Sequence, residues 1–93
     1  MSETLPIKLG ERMGLAQARQ LHPVLLAALS SRTPIMIDGS QVQQIDASSL
    51  QLLVSLWRTA DEQGIPCGWT GASKWLAHAA GLIGVAEALQ LTR

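Results

Sequence analysis

The chain has 93 residues, 47% of them hydrophobic and 15% charged, and its seven Lys and Arg balance seven Asp and Glu. That length admits one domain over residues 1–93 with one modest core, and the aliphatic content excludes a disordered chain. A neutral chain with no basic run, and with three Trp but neither Phe nor Tyr to stack on bases, excludes nucleic acid as a partner and offers little to anionic lipid.

Residues 1–4 lack the basic start and apolar run of a signal peptide, and no stretch reaches the ~20 apolar residues that cross a bilayer. A cytoplasmic protein without membrane insertion is expected. Leu5, Ile7 and Leu9 alternate with Lys8 and Gly10, which predicts an edge strand with one buried face. Over residues 15–30, Leu15, Ala18, Leu21, Leu25, Leu26 and Leu29 recur at helical spacing, with Gln17, Arg19 and Gln20 opposite. Pro23 falls inside that pattern; it lacks an N–H and crowds the preceding turn, so the helix should kink there or begin its regular part near His22.

Residues 31–34 read as a turn and residues 35–38 as a short strand buried on both faces, as in a parallel sheet. Val42 and Ile45 should tuck beneath the link that follows. A long helix over about residues 48–63 ends at Gly64, suited to a C′ position, and residues 65–69 form a third strand. Ser73 can cap a last helix through Trp75, Leu76, Ala79 and Ala80, which Gly81 interrupts before a short helical turn at residues 85–89. Strand and helix alternate three times, implying right-handed crossovers and an α/β fold: a small two-layer domain whose mostly parallel or mixed sheet has helices packed on it.

On the middle helix Leu50, Leu52, Leu53, Val54, Leu56, Trp57 and Ala60 cover an arc of about 200°, wider than the ~100° a surface helix needs to meet its sheet. Gln51, Ser55, Arg58, Thr59 and Glu62 form the polar side. Leu52 and Leu56 lie at the flank, to be covered by a neighbouring helix or by a partner. Trp57 belongs to the core-facing arc. Trp69 and Trp75 are expected to be structural, with an exposed binding patch as the other reading.

Ser48 sits where a strand-like run gives way to this helix. The first N–H groups of a helix have no internal partners and, with the macrodipole, favour a negative group, so a phosphoserine would be tolerated there. Ser48 with Gln51 also spells a capping box, worth ~1 kcal/mol, which explains the serine without any phosphate. Asp46 suits a turn or cap, and Asp38, at a strand end, could join Asp46 and Ser48 on one rim. Cys67 is the single cysteine, which excludes an internal disulfide and a cysteine zinc cage and fits a reducing compartment. His22 and His78 show no ligand spacing, so neither a metal nor a cofactor is expected. No Gly-x-Ser-x-Gly elbow or phosphate-cradling loop is present, which argues against an enzyme.

Residues 45–53, Ile45-Asp46-Ala47-Ser48-Ser49-Leu50-Gln51-Leu52-Leu53, together with Gln63-Gly64 and Gly81-Leu82, resemble the STAS family of bacterial anti-sigma-factor antagonists and sulfate-transporter domains. The family pattern is Asp-Ser/Thr-Ser-Gly-Leu at a helix start, Gly at that helix's end and Gly-Leu in the final helical region. The likeness runs over residues 9–89. It implies that Asp46 matches the family aspartate, Ser48 the serine that a partner kinase phosphorylates, and Leu50 the leucine after it. Ala47 stands where a hydroxyl residue is common. Ser49 stands where glycine is usual, which should narrow the approach of a kinase to Ser48. The front end shows one strand where many members have two.

The resemblance implies a non-enzymatic protein-binding module of bacterial signalling, gripping an anti-sigma-factor kinase-like partner through Asp46, Ala47, Ser48, Ser49, Gln51 and Leu52. Phosphorylation at Ser48 would release that grip. The alternative it implies is an unphosphorylated adaptor, bound to the ATPase of an ABC-type lipid transport system or to a chemotaxis system.

Overall fold

A computed structural model describes residues 5–91 of the chain. In order these form β1 (Leu5–Lys8), β2 (Arg12–Met13), α1 (Leu15–Ser31), β3 (Ile35–Gly39), β4 (Gln44–Ile45), α2 (Ala47–Gln63), β5 (Cys67–Ala72) and α3 (Lys74–Leu82). The main sheet has the order β1-β3-β5 and is parallel throughout, as strands joined by helical crossovers must be.

Alternation along each strand divides the sheet into two unlike faces. Ile7, Ile35 and Ile37, with Cys67 and Trp69 in register beside them, look towards the helices and join the core. Pro6, Lys8, Met36, Asp38 and Gly68 occupy the other face, where Pro6 and Lys8 are exposed and the remaining three half-buried. The expectation that residues 35–38 are buried on both faces is therefore corrected. All the helices contribute to a single layer, which leaves the second face of even the central strand partly open.

The Leu9 amide donates to the Asp38 carbonyl at 2.9 Å. By alternation Ile7 also turns its amide towards β3, while Pro6 and Lys8 turn outward. Proline thus stands where the missing N–H faces solvent.

A second, two-stranded sheet pairs β2 with β4 in parallel, Arg12 with Gln44 and Met13 with Ile45. This supplies the second strand at the front of the chain that the sequence does not display, because two residues are too few to show an alternating pattern. The Glu11 carbonyl accepts from the Gln43 and Gln44 amides, and the Met13 carbonyl from the Asp46 amide.

Helix α1 runs from Leu15 without waiting for His22, and Pro23 lies inside it. Both Pro23 and Arg19, whose carbonyl loses its helical partner to the proline, are exposed, so water can take that carbonyl. The helix buries Ala18, Leu21, Leu25 and Ala28, leaving Leu15 and Leu26 of the expected apolar stripe exposed. Leu56 of α2 is buried and shares a narrow seam with Leu25, Leu26 and Leu29, so α1 and not a partner covers that flank; Leu52 stays half-buried beside it.

At its far end α2 closes on Gly64, whose φ of 71° is the left-handed conformation that glycine adopts without strain. Strand β5 then begins at Cys67, after a buried Ile65, and not at residue 65. Trp57 stacks on Trp69 with ring centroids 4.8 Å apart, and the Trp69 indole donates to the Leu89 carbonyl at 2.8 Å. The Ser73 hydroxyl caps α3 by accepting from the Leu76 amide. That helix passes through Gly81 to Leu82, contrary to the expected interruption, and residues 85–89 make the expected helical turn, the Leu89 amide donating to the Val85 carbonyl at 3.1 Å. Trp75 breaks the structural expectation for the three tryptophans: it is 51% exposed.

Candidate functional site

The start of α2 is held by a carboxylate. Asp46 has extended backbone angles and is the N-cap, its Oδ1 accepting from the Ser49 amide and from the Ser48 hydroxyl, each at 2.9 Å. The capping box expected between Ser48 and Gln51 is therefore replaced. Ser48 is the second residue of the helix, and its hydroxyl donates to Asp46. An ionised oxygen is the stronger acceptor for the free amides of a first turn, so the aspartate takes the cap.

The Ser49 amide, chiefly, with the Ser48 hydroxyl adding to it, holds the Asp46 carboxyl below its ordinary value of 3.8. A lowered carboxyl stabilises the fold above the unfolded value and loses that contribution as pH falls through its folded value. Asparagine caps about as well but does not titrate. In acid denaturation followed between pH 5 and 2, the wild type is expected to lose stability relative to Asp46→Asn only below about pH 4. Parallel curves for the two proteins would contradict the assignment of the cap to a charged Asp46.

Ser49 points the other way. It is completely buried, and its hydroxyl donates to the Met13 carbonyl at 3.0 Å and to the Gly14 carbonyl at 3.3 Å. Met13 also accepts from the Asp46 amide, so the junction of β2 and α1 clasps the α2 start at two points. Ser49→Ala is expected to cost about 1 kcal/mol by urea unfolding, because Met13 keeps the Asp46 amide and Gly14 keeps the Ala18 amide. A loss above ~3 kcal/mol would mean that a carbonyl had been orphaned.

Of the residues expected to meet a partner, Asp46, Ala47, Ser48 and Gln51 are exposed, Leu52 is half-buried and Ser49 is turned inward. The inward turn of Ser49 also removes the expected obstruction beside Ser48.

Next to this helix start lies an open groove of about 600 Å³. Arg12, Gln44 and Asp46 line it on the side of the small sheet, Gln17 on the side of α1, and Trp75, His78 and Ala79 on the side of α3. Asp38 does not join them: its carboxylate accepts from the hydroxyl and amide of Ser40, which hold it below the ordinary range, and it does not line the groove. His22 lies elsewhere, on the seam between α1 and α2. Among the described residues no group of three His, Cys, Asp or Glu could hold a metal ion. Burial pushes the Cys67 thiol up to about 11, which leaves it protonated at neutral pH. Sequence reasoning missed Arg12 and His78, and it left Trp75 open; the spacing of Trp75, His78, Ala79 and Leu82, all on one face of α3, was the signal available.

A family profile described as Mlab, STAS domain matches residues 2–92. The chain belongs to the STAS family. Comparison with curated proteins gives no match. STAS domains are generally binding modules without catalytic activity, and membership makes this chain a protein-interaction module of STAS type. Asp46, Ser48 and Leu50 lie at the start of α2, the end of that helix that borders the groove. No helix among the described residues is long and apolar enough to cross a membrane.

Proposed function

We propose that this STAS domain is a non-enzymatic module of bacterial signalling in the cytoplasm. It docks an anti-sigma-factor kinase-like protein through the start of α2 and is switched by phosphorylation at Ser48. The observation that carries the reading is the position of the Ser48 hydroxyl: exposed, in the first turn of α2, 2.9 Å from Asp46 and with Ser49 turned away from it. A phosphate there brings about −1.5 to −2 charges, attracted by the helix terminus and repelled by Asp46. The fold tolerates that balance. A docked surface does not, because it would have to desolvate a dianion without a counter-charge.

The test is affinity capture from the native cell with phosphopeptide analysis of Ser48, followed by binding of the purified partner to Ser48→Ala and Ser48→Asp. Binding by the alanine variant and loss by the aspartate variant support the switch. Equal binding by wild type and Ser48→Asp overturns it. A second reading, an unphosphorylated adaptor for the ATPase of an ABC-type lipid transport system or for a chemotaxis system, is favoured by Ala47 in place of a hydroxyl residue. Ser48 free of phosphate in the captured complex would select it.

A further inference from the structure

We infer that residues 84–91 form a strap that lifts from a hinge at Gly84 while the rest of the domain stays folded, uncovering the stacked rings of Trp57 and Trp69. The inference is independent of docking at the α2 start.

The chain leaves α3 through Gly84, whose φ of 79° is a left-handed conformation that glycine adopts without strain. The Gly84 and Val85 amides donate to the Gly81 and Ala80 carbonyls and so belong to the end of α3. Beyond them the backbone bonds stay within the strap: the Leu89 amide donates to Val85, that of Gln90 to Glu87 and that of Leu91 to Ala86. Among the described residues, 86–91 share a single hydrogen bond with the rest of the molecule, from the Trp69 indole to the Leu89 carbonyl at 2.8 Å. Leu89 is fully buried, Val85, Ala86 and Leu91 are half-buried, and Glu87, Ala88 and Gln90 are exposed. An open hollow of about 290 Å³ lies between Glu87, Ala88 and Gln90 on the strap and Trp57 and Arg58 on α2. One buried side chain and one bond thus fasten the whole segment, which marks it as a unit that opens at less cost than global unfolding.

Two features work against closure. The bonds of Gln90 and Leu91 repeat those that end α2, where Gly64 donates to Asp61 and Ile65 to Ala60. That motif places a left-handed residue just after the last turn, and at the end of α2 the residue is Gly64. In the strap it is Gln90, with φ 60°, where a Cβ crowds the backbone. Arg32, the other non-glycine residue at positive φ among those described, is anchored by its guanidinium, which donates to the Gln63 carbonyl at 3.0 Å. The second feature lies beside the strap. Trp57 is 6% exposed and its indole N–H has no acceptor among the described residues, while Trp69, stacked on it at 4.8 Å, takes the Leu89 carbonyl. An unpaired donor opposes the state that buries it. Lifting the strap relieves both, and a single turn parted from the body does not persist, so its own bonds open with it.

The test is hydrogen exchange of the full chain, followed by NMR at urea concentrations below the unfolding transition. The Trp69 indole and the Leu89 and Leu91 amides are expected to share one protection, about 100-fold below that of the Leu53 amide in the buried part of α2. That protection should hardly change as urea rises, because opening exposes little surface. Gln90→Gly is expected to slow the shared exchange about threefold, and Gln90→Val, a branched side chain in the same left-handed position, to quicken it about tenfold. If all these groups exchange at one urea-dependent rate, the strap opens only with the whole domain and the inference falls. Exchange unchanged in both Gln90 variants overturns it as well, because the left-handed residue then has no part in setting how the strap closes.

Discussion

Leu50→Ala is expected to remove about 3 kcal/mol of stability and to lower the melting temperature by roughly 12–24 °C. Leu50 is almost wholly buried and follows the inward-turned Ser49, so it fixes the first turn of α2 in the core directly beneath the exposed Asp46 and Ser48. Truncation there loses the transfer free energy of the side chain and leaves a cavity that the surrounding sheet and helices fill only in part. Total stability in a domain of this size is of order 5–15 kcal/mol, so the variant would be folded but marginal. The stacked pair Trp57 and Trp69 reports on the transition by fluorescence. A loss under ~1 kcal/mol would show that this end of the helix does not depend on the core.

Phosphoserine installed at position 48 is expected to weaken partner binding about 100-fold, or ~2.7 kcal/mol, while changing fold stability by no more than ~1 kcal/mol. The two effects have one origin. Esterification removes the proton that the Ser48 hydroxyl donates to Asp46, leaving the Ser49 amide as the cap's main bond, and it sets a dianion beside the carboxylate. The helix terminus offsets part of that repulsion within the fold, whereas a docked surface would have to bury the charge. A neighbouring dianion also raises a carboxyl pKa. The Asp46 titration followed by carbon-detected NMR should therefore move upward on phosphorylation, and calorimetry with the partner gives the affinity. An unmoved Asp46 titration would separate the phosphate from the cap and remove the proposed route.

The major elements were legible because each is long enough to declare its period. Alternation marked β1, helical spacing marked α1 and α2, and Gly64 and Ser73 marked where a helix stops and another starts. What escaped was set by tertiary contacts. The β2 and β4 pair holds two residues per strand and exists through bonds from Glu11 and Met13 to a distant segment. Asp46 and Ser48 are both good cap residues two positions apart, and the choice between them follows from where β4 releases the chain. A short apolar run likewise does not say how many of its faces are covered, so Met36 and Asp38 read as more buried than they are. Trp75 shares one face of α3 with His78, Ala79 and Leu82, a spacing that fits a core stripe as well as an open one, and the packing of α3 turns it to the groove.

Pro6 gives β1, one of the two edge strands of the main sheet, a gap in its row of outward amides. A domain with a formal charge of zero has little electrostatic repulsion between copies, and an uninterrupted strand margin would let one molecule zip onto the next. The ring at Pro6 denies such stacking a continuous ladder along the β1 border, while the β5 border, Cys67–Ala72, has no proline to interrupt it.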